Sequence, residues 1–200
     1  MPKRVDHDQR RRQIVQGLWR IAERGGLGAV SFREVAAEAG VSVRLVQYYF
    51  GTKADLLREA NRQALQTMGT RIAQRVLAAM DGDPSPREVV ATIAHEFLPS
   101  DDESRRAMLL YYAFYTAQMT DHSLRGAGEV PQGFIDLVSD QIRRAQADGT
   151  VSPGLHPELE AAVLLAVVPG AASGVLTGYG TLEEATLLVD YAVDRIFGPA

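Results

Sequence analysis

The chain has 200 residues, 46% hydrophobic and 23% charged, a balance that sustains a folded core and excludes a wholly disordered or fibrous polypeptide. It contains no cysteine, which removes disulfide scaffolds, thiol nucleophiles and cysteine-ligated zinc or iron–sulfur sites and fits a reducing, cytoplasmic interior. The formal charge of −4 argues against a nucleic-acid partner only if charge is evenly spread, yet residues 1–60 carry 11 Lys/Arg against 7 Asp/Glu and residues 61–200 carry 10 against 18, so a basic head precedes an acidic body.

No apolar stretch follows Met1-Pro2-Lys3-Arg4, so no secretory leader is expected. Gln9 to Arg24 carries Ile14, Leu18, Ile21 and Ala22 at 3.6-residue spacing and stops at Gly25-Gly26, which predicts the first helix. Ser31 with Glu34 forms a capping-box pattern that opens a short helix ending at Gly40. Ser42 caps a second short helix through about Tyr49, and Thr52 with Asp55 opens a long one toward Met80. Asp81-Gly82-Asp83-Pro84 reads as a linker. Further helix starts fall at Ser85-Pro86 with Glu88, at Pro99 to Asp102, at Val130-Pro131, at His156-Pro157 and at Thr181 with Glu184. With no strand alternation between them, the expectation is an all-α chain of about nine helices.

The stretch from Phe32 to Phe50 carries the chemistry. Two helices of about seven residues joined through Gly40-Val41-Ser42 have the dimensions of a helix-turn-helix. Ala36 is small where helices cross, Gly40 suits a left-handed turn, and Val35, Ala39, Val41 and Val46 are apolar where the pair must be buried. On the second helix Val46, Tyr49 and Phe50 share one face, which leaves Arg44, Leu45, Gln47 and Tyr48 on the other. An Arg, a Gln and a Tyr facing solvent suit base edges and phosphates, and Val43 or Leu45 suits a thymine methyl. Ser42 and the free N–H groups behind it suit a phosphate. Arg33 and Lys53 flank the unit, and Lys3, Arg4 and Arg10 to Arg12 precede it as a candidate arm on the DNA backbone. Tyr49 stands equally for core or contact.

The run S-F-R-E-V-A-A-E-A-G-V-S-V-R-L-V-Q-Y-Y-F-G-T-K-A-D-L-L resembles the DNA-binding domain of the TetR family of bacterial transcriptional regulators. Tyr48 to Lys53, followed by Leu56-Leu57, is similar to the family's aromatic–aromatic–Phe–x–x–Lys signature, and the likeness covers about residues 10–60. It implies a helix-turn-helix domain over residues 1–52 and an effector-binding and dimerisation domain over 53–200, with 53–80 as connector. By position it assigns DNA contact to Arg33, Ser42, Val43, Arg44, Leu45, Gln47, Tyr48, Tyr49 and Lys53. Arg44, Leu45 and Gln47 depart from the residues common in the family.

In the acidic body, Ala107 to Met119 is apolar on nearly every side and is the expected central wall. Met108, Tyr112, Tyr115 and Met119, with Phe97 and Phe134 from neighbours, read either as core filler or as the lining of a pocket for an apolar or amphipathic effector. From Ala161 to Leu182 no residue is charged, and Gly170, Gly174 and Gly178 recur every four positions; a closely packed helix, which Pro169 should kink, explains this better than a membrane span. Leu182, Ala185, Val189, Ala192 or Val193, and Ile196 form a stripe that, with the glycine ridge, predicts a four-helix homodimer interface. His95-Glu96 lacks the spacing of a zinc protease, and no nucleophile elbow, phosphate loop or dinucleotide fingerprint is present. The sequence therefore points to a non-enzymatic, cofactor-free regulator, a ligand-responsive repressor of a palindromic operator; the alternative is a helical ligand carrier or small-molecule enzyme whose helix-turn-helix is scaffold.

Overall fold

The computed structural model describes residues 2–79, 84–124 and 132–199, with side chains from residue 7 onward except at position 79. Among these residues are nine α-helices: α1 Pro2–Gly25, α2 Phe32–Ala39, α3 Val43–Phe50, α4 Lys53–Ala79, α5 Pro86–Glu96, α6 Asp102–Thr120, α7 Gln132–Ala147, α8 Pro157–Thr177 and α9 Leu182–Phe197. Short 3-10 turns lie at Leu27–Ala29 and His122–Leu124. Most of the Asp81 to Pro84 linker and the Val130-Pro131 helix start lie outside the described residues.

Local chemistry explains where the helices begin. Ser85 and Thr181 each complete a capping box with Glu88 and Glu184, so two backbone donors are satisfied at each start. At Ser31 the hydroxyl accepts from the Glu34 N–H at 3.2 Å. α8 begins at Pro157, where the missing N–H costs nothing, and continues through Pro169 to a left-handed Gly178. α1 runs further than its apolar periodicity indicates, because the basic N-terminal segment continues the helix back to Pro2.

The chain forms two compact units, Met1–Thr67 with Leu109–Glu129, and Met68–Met108 with Val130–Ala200. The first is built on Ile14, Val15 and Leu18 of α1, Val35 of α2, Val46 and Phe50 of α3, and Leu56 of α4, all buried. Phe114 of α6 is fully buried in the same cluster, and Leu124 joins it. Compactness thus does not follow a boundary at residue 52, since the C-terminal part of α6 supplies core to the helix-turn-helix unit.

Gly17 marks the closest approach of α1 to α2. A Cβ there would lie 3.1 Å from the Ala39 Cβ, 3.3 Å from the Ala39 nitrogen and 3.4 Å from the Val35 oxygen. These are backbone atoms and a methyl with no freedom to turn aside. Gly17→Val is therefore expected to destabilise this unit by about 1–3 kcal/mol through overpacking, read as a lowered urea midpoint; an unchanged midpoint would show that the helices separate freely.

The second unit packs α8 between α7 and α9, with α5 against α7 and α9. α8 is long and apolar enough to cross a membrane by composition alone, but Leu164, Leu165, Val168 and Ala172 form a buried stripe along it. On α9 the apolar stripe read as a partner-facing surface turns inward instead: Ala185, Val189, Val193 and Ile196 are buried in the chain's own core. The acids beside it explain the orientation, because Asp190 meets His95 Nε2 at 2.8 Å and Asp194 pairs with Arg87, both on α5. The large apolar residues that α9 leaves exposed are Leu182 at its start and Leu187, Leu188 and Tyr191 along it.

Candidate nucleic-acid interface

The helix-turn-helix is set by its turn. Gly40 ends α2 at φ 65°, a left-handed conformation open to glycine at little cost, and Val41 N–H returns to the Ala36 carbonyl at 2.9 Å. Ser42 then caps α3, its hydroxyl accepting from the Leu45 N–H at 3.2 Å. Val46 and Phe50 anchor α3 in the core. The remaining positions are distributed by that anchoring: Val43, Arg44, Gln47 and Tyr48 are exposed, while Leu45 and Tyr49 are half-buried.

Tyr49 belongs to the packing. Its ring lies against the core cluster, its hydroxyl pairs with His7 Nδ1 at 3.1 Å, and its carbonyl accepts from Arg11 at 3.4 Å. Tyr48, by contrast, is 74% exposed, its ring meeting that of Tyr49 edge to face at 5.4 Å.

The basic head is less available than its charge count implies. Arg20 and Arg24 both pair with Glu38, at 2.6 and 2.5 Å, and hold its carboxyl below the usual range. Arg11 lies over the Phe50 ring and 3.6 Å from Glu59. Arg10 donates to Gln13 at 2.8 Å. Arg58 pairs with Asp55 and donates to the Ser123 carbonyl. Among the described residues, the exposed cations of this unit without a side-chain partner are Arg12, Arg33 and Arg44. Lys53 sits at the start of α4 with Nζ 3.5 Å from the Leu27 carbonyl. Sequence alone could not sort these arginines, because Glu38, Phe50, Glu59 and Ser123 lie 14 to 65 positions from the arginines they meet. What remains is a row on α3 whose side chains have the donors and acceptors that base edges match, with exposed cations on either side of it in sequence.

The six residues read as a pocket lining are divided between the two compact units. Phe97, Met108 and Phe134 belong to the second unit, where Phe97 and Phe134 meet edge to face at 5.4 Å. Tyr112, Tyr115 and Met119 belong to the first, where Tyr115 stacks on Tyr111 at 5.9 Å and burial pushes the Tyr111 hydroxyl up. A helix apolar all round gave no sign that its two ends serve different cores. The second unit does hold a cavity of about 440 Å³ between α4, α5 and α7, walled by Ile72, Val76, Leu77, Val89, Phe134 and Leu137, with Gln141 and Arg144 as its polar groups. Of the expected lining only Phe134 reaches it.

Comparison with known proteins bears on both units. The model for bacterial regulatory proteins of the tetR family matches residues 14–60, and the one described as BetI-type transcriptional repressor, C-terminal, matches residues 86–198. The HTH-type transcriptional regulator PksA of Bacillus subtilis is 28% identical over 172 residues, covering 86% of this chain and 81% of that protein. A TetR-family regulator from Rhodococcus sp. superposes with a TM-score of 0.83 at 21% identity, over 95% of this chain and 99% of that one. A transcriptional regulator from Saccharomonospora viridis, solved in complex with choline, superposes with a TM-score of 0.80 at 21% identity, over 94% and 97% of the two chains.

Proposed function

The chain belongs to the TetR family of bacterial regulatory proteins and is a DNA-binding transcriptional regulator, and from this premise we propose that it is a cytoplasmic, non-enzymatic, ligand-responsive repressor that reads a palindromic operator as a homodimer. The observation that carries the reading is the outer face of α3, where Arg44, Gln47 and Tyr48 stand exposed beside a capped helix start while Val46 and Phe50 hold the helix in place. Among the described residues no hydrogen bond or ion pair engages these side chains, so their polar groups are available to DNA. Arg33, Ser42, Val43 and Lys53 complete the proposed contact set, with Leu45 at its edge.

The test is binding to duplexes from upstream of its own gene across a salt series. Arg44→Ala is expected to cost about 1–3 kcal/mol on the operator and to relax one base position. Arg33→Ala is expected to weaken operator and random DNA alike and to flatten the salt dependence. No binding at low salt would overturn the regulator reading in favour of a carrier or enzyme.

Leu159 and Val163 of α8 and Leu187, Leu188 and Tyr191 of α9 support the homodimer, because an exposed apolar surface built from two adjacent helices is costly in water. Leu187→Glu with Tyr191→Glu should yield a folded monomer in sedimentation at micromolar concentration; a wild type that is itself monomeric would sink the interface. To enter successive major grooves of such an operator, the two α3 helices of the dimer must sit about 34 Å apart, one DNA turn. The cavity of the second unit supports an effector site, and α4, whose residues Lys53–Thr67 and Met68–Ala79 serve different units, is the proposed route from effector to DNA.

A further inference from the structure

We infer that the cavity between α4, α5 and α7 takes an amphipathic acid, an alkyl-tailed carboxylate that also carries a hydroxyl, and not a quaternary ammonium. This rests on the reading of the second unit as the effector-binding part and names the ligand class for it. A quaternary ammonium is held by several aromatic faces or by carboxylates. Among the described residues the cavity wall has one aromatic ring, Phe134, no Asp or Glu, and an arginine, Arg144, whose charge repels a cation.

The positive features point the same way. Ile72, Val76, Leu77, Val89 and Leu137 make a continuous aliphatic wall that matches a methylene chain, and about 440 Å³ is the size of a site for one small molecule. Gln141 and Arg144 are three positions apart on α7, so they lie on one face and act on one head group. Gln141 Oε1 is buried with no hydrogen-bond partner. Turning that amide toward the cavity exchanges an orphaned acceptor for one bonded to a ligand hydroxyl. The Arg144 guanidinium, at the same wall, carries the positive charge and N–H donors that suit a carboxylate.

The test compares three probes of equal tail length at sub-micellar concentration, 3-hydroxydecanoate, decanoate and decyltrimethylammonium, by calorimetric titration and thermal shift on the full chain. The expected order of affinity is 3-hydroxydecanoate, then decanoate, with no binding by the ammonium. Gln141→Leu should bring 3-hydroxydecanoate down to the level of decanoate, and Arg144→Gln should weaken both acids at least tenfold. Ala73→Phe, which projects a ring into the cavity from α4, should abolish binding while operator affinity persists. Decyltrimethylammonium binding as tightly as the acids, or acids binding equally well to Ala73→Phe, would overturn the assignment; if that variant fails to fold, Gln141→Leu and the probe order decide alone. A gel shift in the same samples separates this inference from the one beneath it: acids that bind as expected without altering operator affinity leave the cavity chemistry standing and remove the effector role.

Discussion

Phe114→Ala is expected to destabilise the DNA-binding unit by about 3–5 kcal/mol, a large part of the stability of a domain this size. Phe114 is fully buried in the cluster that seats α3 through Val46 and Phe50, yet it comes from α6, more than 60 positions later in the chain. Removing its ring leaves a cavity beside the residues that fix the angle of α3, so the loss reaches the recognition row without touching it. The chain's one tryptophan, Trp19, packs against the same cluster and reports on this unit alone. Urea unfolding followed by Trp19 fluorescence should show a midpoint lowered in Phe114→Ala and nearly restored in Phe114→Leu, which keeps most of the volume. A cost below about 1 kcal/mol would mean that the site collapses without penalty and that α6 is dispensable to this core. The same packing implies that a fragment ending at Thr67 lacks part of its hydrophobic core.

How far such features can be read from sequence depends on the range of the physics behind them. Caps and turns act over three or four residues, and Ser42, Ser85 with Glu88, Thr181 with Glu184 and the left-handed Gly40 were all legible for that reason. Periodicity identifies which face of a helix is buried but not what covers it. The stripe on α9 was therefore visible as apolar while its owner, the chain's own core, was not. The exposed row on α3 was legible because two anchoring residues on an eight-residue helix fix the opposite face. The cavity was not, since its walls come from three helices whose pairing no local pattern records. Ion pairs across 25 or more positions were equally silent: Glu96 stood out only as part of a His-Glu pair without zinc-protease spacing, and Asp101 and Glu103 only as neighbours of a helix start.

Those three acids instead converge on Arg71. Its Nε donates to Glu96 at 2.8 Å, its two terminal nitrogens to Asp101 at 3.1 and 2.6 Å, and Glu103 lies 3.2 Å away. Arg75 reaches the other oxygen of Glu96 at 2.7 Å. The Glu96 side chain is 3% exposed and that of Arg71 14%, so this cluster is desolvated at its centre, unlike the surface pairs elsewhere on the chain. Arg71→Met is expected to cost about 3–5 kcal/mol, because it leaves a buried carboxylate with one half-exposed partner. The double variant Arg71→Met with Glu96→Met should recover much of that loss, since two apolar side chains of similar volume need no compensation. Acid provides an independent reading. The Arg71 guanidinium, with the Ser104 N–H, holds the Asp101 carboxyl well below its ordinary value of 3.8. Its contribution is therefore complete above that value and is lost as pH falls through the acid range toward the lowered one. The wild type should accordingly show a steeper loss of stability below about pH 4 than Arg71→Met, with the difference moderated by the exposure of Asp101. A single variant that unfolds at the wild-type urea midpoint, or equal acid slopes in the two proteins, would show that the cluster is solvated and that α4 is held to α5 by apolar contacts alone.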